Sequence, residues 1–236
     1  MTTKLRIKLF QDGAELAKMI GARKSGLVDG FTTNPTLMRK AGVSDYKEFA
    51  QDAIAAIPDL PISLEVFSDD FDTMEREARE IASWGGNTYV KIPITNTKGE
   101  SAAALIRKLS AEGFSLNVTA ILTLDQVETV AAAAAANSRT IVSVFAGRIA
   151  DTGIDPVPMM TKAVVMLKAL PKAELLWASP REVLNIIQAD TIGCHVITVT
   201  HDLLKKLSGV GRDLDEFSLD TVRMFHRDAQ AAGFNL

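Results

Sequence analysis

The chain has 236 residues, of which 47% are hydrophobic and 23% charged, with a net charge of −3. That is an ordinary composition for a globular chain able to bury a large core, and the interspersed charges leave no footprint for a nucleic-acid or membrane surface. The single cysteine, Cys194, rules out a disulfide framework or cysteine-based zinc cluster. No apolar run approaches the roughly 18 residues of a spanning helix, and the opening MTTKLRIKLFQDG lacks the apolar core of a signal peptide, so a cytoplasmic protein is expected.

Short apolar or β-branched runs recur along the chain, each followed by a helical pattern. LRIKLFQD (5–12), LVDGFTTN (27–34) and ISLEVF (62–67) come first. Residues 69–84 then read as a helix with acidic residues at its start and Ser68 placed to cap it. After TYVKIPIT (88–95), the segment 99–113 puts Ala103, Ile106 and Leu109 on one helical face and ends at a glycine. FSLNVTAI (114–121) precedes an alanine-rich helix over 124–137, and TIVSVFAG (140–147) and AELLWAS (173–179) follow. A helix over 180–193 opens with proline and closes with glycine, HVITVT (195–200) is the eighth strand, and a tail helix spans 216–234.

Alternating strands and helices imply a parallel sheet, and eight alternations without a linker imply a single (β/α)8 TIM barrel over residues 1–236. A doubly wound sheet would place a glycine-rich turn after the first strand, and QDGAEL (11–16) is not one. The tail helix, with Phe217, Val222 and Phe225 on it, either closes the barrel or docks on a neighbouring subunit.

Lys91 interrupts the apolar run NTYVKIPIT (87–95). Either it lies on an edge strand and snorkels to water, or it is a desolvated amine kept as a nucleophile. A closed barrel has no edges, which weakens the first reading, and active sites of this fold sit at the C-terminal strand ends. The polar residues there are Asp12, Thr32, Thr33, Asn34, Glu65, Lys91, Asn117, Thr119, Ser143, Arg148, Ser179 and Arg181. Together they suit a polar, anionic, sugar-like ligand. Each has a structural alternative. Asp12 fits a capping box with Glu15, Asn34 a turn before Pro35, Glu65 and Lys91 a plain ion pair, and Ser179 a cap on the helix at Pro180. A neutral lysine amine attacks a ketone to give a Schiff base, an electron sink for C–C cleavage that needs no metal or organic cofactor, with Asp12 and Glu65 available to move protons. Cys194 and His195 read as core, the SDDFD run (68–72) as helix capping rather than a metal site, and His201 and His226 carry no role.

These residues resemble the transaldolase and fructose-6-phosphate aldolase family of class I aldolases along essentially the whole chain. The resemblance rests on GFTTNPTLM (30–38), VKIPIT (90–95), LNVTAILT (116–123), VSVFAGRIAD (142–151), ASPREV (178–183) and GCHVITV (193–199). It implies that Lys91 forms the Schiff base, Asp12 exchanges a proton with the C4 hydroxyl, and Glu65 and Thr119 hold a relay water. Asn34, Asn117 and Ser143 would bind the dihydroxyacetone part, with Thr32 in support, and Arg148, Arg181 and Ser179 would bind a phosphate. The length is similar to the compact, often decameric branch, which implies a homo-oligomer acting on sugar phosphates in the pentose phosphate pathway. Phe145, by contrast, stands as in transaldolases where direct aldolases have tyrosine, and so implies transfer rather than release of dihydroxyacetone. Pro180 also departs from the phenylalanine of long transaldolases.

Overall fold

The computed structural model describes residues 5–234. Residues 1–4, where the stretch read for a signal peptide begins, and residues 235–236, the end of the expected domain, lie outside the described residues. Strands β1 (Lys8–Asp12), β2 (Gly30–Thr32), β3 (Ile62–Glu65), β4 (Thr88–Pro93), β5 (Leu116–Ile121), β6 (Thr140–Val144), β7 (Ala173–Trp177) and β8 (Val196–Thr200) close in sequence order into a parallel barrel. Because β1 pairs with both β2 and β8, the sheet has no free edge, and the edge-strand reading of Lys91 falls.

Helices fill the crossovers: α1 (Leu16–Ser25), α2 (Pro35–Lys40), α3 (Tyr46–Ala56), α4 (Phe71–Ser83), α5 (Ala103–Ala111), α6 (Leu124–Ala133), α7 (Ala146–Ala150), α8 (Val157–Met166), α9 (Leu184–Thr191), α10 (His201–Lys206) and α11 (Leu214–Ala231). Their apolar faces and the outward strand residues make one large core. A second, smaller cluster of Phe10, Tyr89, Ile141, Leu176, Ala178 and Val196 fills the barrel itself.

The period-2 alternation of a strand separates these two layers. On β4, Val90 and Ile92 join the outer core while Tyr89 packs inside the barrel, so Lys91 points inward above it. Gly30 lacks a Cβ because Phe10 needs the space: an added Cβ would lie 2.6 Å from the Phe10 ring. The plug is therefore apolar toward the N-terminal ends of the strands and polar toward their C-terminal ends.

Several element ends differ from the sequence reading, each with a local cause. Ser68 is not the cap of α4. Asp70 is, accepting from the Thr73 N–H at 2.9 Å, while Glu77 reaches back to the N–H groups of Phe67 and Ser68. Asp12 forms no capping box either, since the N-cap of α1 is Glu15. The helix expected from Pro180 begins at Leu184, because Asn185 Oδ1 accepts from the N–H of Arg181 and Glu182 at 2.7 and 3.1 Å and holds them in a turn. Ser179, expected as a possible cap, is instead left-handed at φ 57. The helix expected over 124–137 stops at Ala133 and is capped by Thr123 with Gln126. No residue of α11 is buried, so it does not close the barrel; Phe217, Val222 and Phe225 are exposed.

The expected strand TIVSVFAG ends at Val144, because α7 starts at once and brings Gly147 against the end of β7. Its N–H donates to the Ala178 carbonyl at 3.2 Å, and an added Cβ would lie 1.5 Å from the Ser179 carbonyl oxygen. Backbone cannot yield as a flexible side chain does. Gly147→Ala is expected to destabilise the fold by about 1–3 kcal/mol, read as a lower urea midpoint at unchanged slope.

Candidate active site

A cavity of about 520 Å³ opens at the C-terminal ends of the strands. Asp12, Thr32, Asn34, Glu65, Lys91, Thr119, Ser143, Phe145, Arg148, Ser179 and Arg181 all line it. Asn117 does not. It lies fully buried beneath the lining, its Nδ2 donating to Ser63 Oγ at 2.9 Å and its Oδ1 accepting from Ser143 Oγ at 2.7 Å. It thereby ties β3, β5 and β6 together under the cavity.

Lys91 is 6% exposed. Its Nζ donates to the Thr33 carbonyl at 3.0 Å and to Glu65 Oε2 at 3.2 Å. Register places Glu65 directly beside Lys91 on the neighbouring strand. Glu65 is anchored from outside the barrel, where Tyr46 Oη donates to its backbone carbonyl at 3.0 Å. Burial keeps that phenol protonated and hence a donor.

Asp12 sits on β1 with two donors. Thr32 Oγ1 donates to its Oδ1 at 2.8 Å and Asn34 Nδ2 approaches its Oδ2 at 3.4 Å. In place of the simple turn residue of the sequence reading, Asn34 is the N-cap of α2, its Oδ1 accepting from the Leu37 N–H at 3.0 Å. Burial pushes the Asp12 carboxyl up from its ordinary value, opposed by the Lys91 charge and the Thr32 and Asn34 donors and assisted by the Glu65 charge. A carboxyl so raised is closer to the pH at which it can both take and return a proton.

The lining of β5 is set by a bulge. Val118 pairs with Val142 and Ile121 with Val144, so β5 spends one residue more than β6, and Ala120 is left-handed at φ 61. The bulge leaves Thr119 facing the cavity with an Oγ1 that has no hydrogen-bond partner among the described residues.

Two guanidinium groups stand at the rim. Arg148, on α7, lies over the Phe145 ring at 5.0 Å, and Arg181 is gripped by Asp151, with Nε 2.9 Å from Oδ1 and Nη2 against Oδ2. Arg181 holds the Asp151 carboxyl below its ordinary range.

The sequence reading missed Asp151 and Thr198. Thr198 was detectable as a hydroxyl between Ile197 and Val199 in an apolar strand, and it lines the cavity. Conversely, Cys194 and His195 lie at the opposite end of β8 from the mouth. The Cys194 thiol is pushed up to about 12 by burial, and His195 Nδ1 accepts from the Leu175 N–H at 3.0 Å, which makes both structural. Of the SDDFD run, Asp69 accepts from Thr97 and Asp70 caps α4. No cluster of three or more His, Cys, Asp or Glu side chains that could hold a metal ion occurs among the described residues. Among the same residues, no helix is long and apolar enough to cross a membrane.

Fold and site define a (β/α)8 barrel whose mouth presents a buried lysine paired with one carboxylate and sharing its cavity with a second. Solved barrels share the fold at 13% identity. They include dihydrodipicolinate synthase from Rhodopseudomonas palustris, with a TM-score of 0.57 over 91% of this chain and 79% of that one. KGPDC from Streptococcus mutans has the same TM-score over 86% of this chain and 90% of its own. The family model described as Transaldolase/Fructose-6-phosphate aldolase matches residues 9–236, and the chain belongs to that family. A relative from Dehalococcoides mccartyi named probable transaldolase is 35% identical over 85% of this chain and 90% of its own length. One from Listeria monocytogenes named probable transaldolase 2 is 36% identical over 85% and 88%, and a Methanococcus maripaludis probable transaldolase is 33% identical over 92% and 100%.

The raised Asp12 value gives a testable sign. A carboxyl whose value is higher in the folded chain makes a contribution to stability that is fully present below its ordinary value of 3.8 and is lost as pH rises through the folded value. Asp12→Asn is therefore expected to melt higher than wild type near neutral pH, by a margin that narrows as the pH falls toward 3.8. Differential scanning calorimetry across that range checks it.

Proposed function

We propose that this chain is a transaldolase that moves a dihydroxyacetone unit from a ketose phosphate, such as fructose 6-phosphate or sedoheptulose 7-phosphate, to an aldose phosphate. The observation that carries this reading is the Lys91 amine, buried between the Thr33 carbonyl and Glu65 in a cavity that Asp12 also lines. The names of the relatives support it.

The Lys91 nitrogen adds to the C2 carbonyl of the ketose, and the carbinolamine loses water to give an iminium. Glu65 returns and accepts the protons of that exchange through a water held at the free Thr119 hydroxyl. Asp12 takes the C4 hydroxyl proton as the C3–C4 bond breaks, and the bonding pair moves to the iminium nitrogen, leaving an enamine. The aldehyde departs, a second aldehyde enters, and the steps reverse, with Asp12 giving its proton to the new alkoxide. Ser143 and Asn34 hydrogen-bond the three-carbon unit while Asn117 fixes Ser143 from below. Arg148 and Arg181, with Ser179 nearby, take the phosphate, for which guanidinium forks are suited. No organic cofactor or metal takes part in this sequence.

Phe145 lines the cavity and stacks under Arg148. It offers no hydroxyl to hold water near the enamine, so the enamine persists until an aldehyde accepts it. This favours transfer over release of free dihydroxyacetone. The exposed apolar side chains of α11 support docking on a second copy of the chain, and hence a homo-oligomer.

Borohydride reduction in the presence of fructose 6-phosphate, followed by intact-mass analysis, is expected to show a three-carbon adduct in wild type and none in Lys91→Met, which keeps the stem volume. No adduct with several ketose phosphates would leave a binding-only barrel. Without an acceptor, wild type is expected to release at most about one equivalent of dihydroxyacetone, and repeated release would identify an aldolase. Asp12→Asn is expected to lower transfer by about a hundredfold or more.

A further inference from the structure

Besides Thr32 and the exposed Thr36, the cavity is lined by a buried hydroxyl that the mechanism above leaves unused. Thr198, on β8, is 6% exposed and its Oγ1 lies 2.5 Å from Thr32 Oγ1. Thr32 has a single hydroxyl proton, and that proton goes to Asp12 Oδ1 at 2.8 Å. The contact between the two threonines is then fixed in direction: Thr198 donates and Thr32 accepts. Strands β8, β1 and β2 are contiguous in the barrel, so the three groups form one chain across neighbouring strands, running from Thr198 through Thr32 to the carboxylate.

We propose that Thr198 is a positioning residue for Asp12, holding Thr32 in the rotamer that donates to Oδ1 and strengthening that donor. This rests on the reading of Asp12 as the proton carrier. Serial hydrogen bonds polarise one another, so a hydroxyl that accepts a bond donates a stronger one. The ionised Asp12 is thereby favoured before cleavage. When Asp12 has taken the substrate proton, its own O–H donates to Thr32, the chain reverses, and the Thr198 proton turns toward the cavity it lines. Without Thr198, Thr32 is free to rotate and to spend its proton on water or substrate.

Other charges act on the same carboxyl and set its baseline. Lys91 and Glu65 line the same cavity, the first lowering and the second raising its proton affinity. Glu15, Lys18, Lys40, His201 and Asp202 surround a side cavity of about 220 Å³ that Asp12 also borders. Substitution at Thr198 leaves all of these in place.

The test compares wild type with Thr198→Val, which removes the hydroxyl at nearly constant volume, and Thr198→Ser, which restores it. Transfer is measured from about pH 5 to 9, and the Asp12 carboxyl is titrated directly by infrared difference spectroscopy with Asp12→Asn as blank. Expected for Thr198→Val is a kcat about three- to tenfold lower at neutral pH with KM unchanged. Its acidic limb and the Asp12 titration are both expected to move upward by about half a unit to one unit. Thr198→Ser is expected to behave as wild type. Should the valine variant not fold, Thr198→Ala is read in the same two ways. An Asp12 titration at the wild-type position in the hydroxyl-free variant overturns the proposal, as does a serine variant no better than valine. If wild type forms no adduct and transfers nothing, the proposed function fails while the infrared titration still decides the role of Thr198.

Discussion

Everything at the mouth of this barrel depends on one arrangement, an ammonium or amine held inside a protein by a carbonyl and a carboxylate. A buried lysine needs such partners, because an unpaired charge in a low-dielectric interior is far more costly than any nearby apolar contact can offset. Thr33 supplies the carbonyl and Glu65 the carboxylate, and each is fixed from another part of the fold. The Thr33 side chain donates to the Ser63 carbonyl at 2.9 Å, and the Glu65 carbonyl is held by Tyr46 from outside the sheet. The pair is thus a junction between the ends of β2, β3 and β4, and the Lys91 nitrogen is positioned by the same bonds that keep those strands together.

The two ends of the cavity are built by different means. Around Lys91 and Asp12 the functional groups are on strands, where register fixes them: Asp12 beside Thr32, Glu65 beside Lys91, Lys91 beside Asn117. At the arginine end they are on short segments past the strands, where Gly147 allows α7 to approach the end of β7 closely enough for Arg148 and Arg181 to share a rim. Asp151 orients Arg181 and reduces the net positive charge there, so the rim presents a shaped donor set rather than an open cationic patch.

The barrel and its strand order were legible in the sequence because eight short β-branched runs recur with helical patterns between them. The site was legible because polar residues interrupt those runs at their C-terminal ends. Element ends were less so. Capping at Asp70, Asn34 and Thr123 competes with other polar residues a position or two away, and only tertiary contacts decide between them. The late start of α9 depends on Asn185 turning back on its own first turn, a contact that periodicity does not encode. The resemblance implied Asn117 as a ligand of the dihydroxyacetone part, and in the structure both ends of its amide bond to the protein. Asp151 and Thr198 escaped notice because one lies beyond the strand end and the other looks like ordinary β-sheet threonine.

The division of the barrel plug into an apolar lower layer and a polar upper layer also has an evolutionary side. Phe10, Tyr89, Ile141 and Val196 hold the barrel shut from within, while Leu176 and Ala178 of the same cluster reach up to line the cavity. The upper layer is of two kinds: Lys91, Glu65 and Asn117 also tie strands together, whereas Arg148 and Arg181 stand on segments past the strand ends. Substitutions at those rim positions can therefore change what the mouth accepts while the packing beneath is kept.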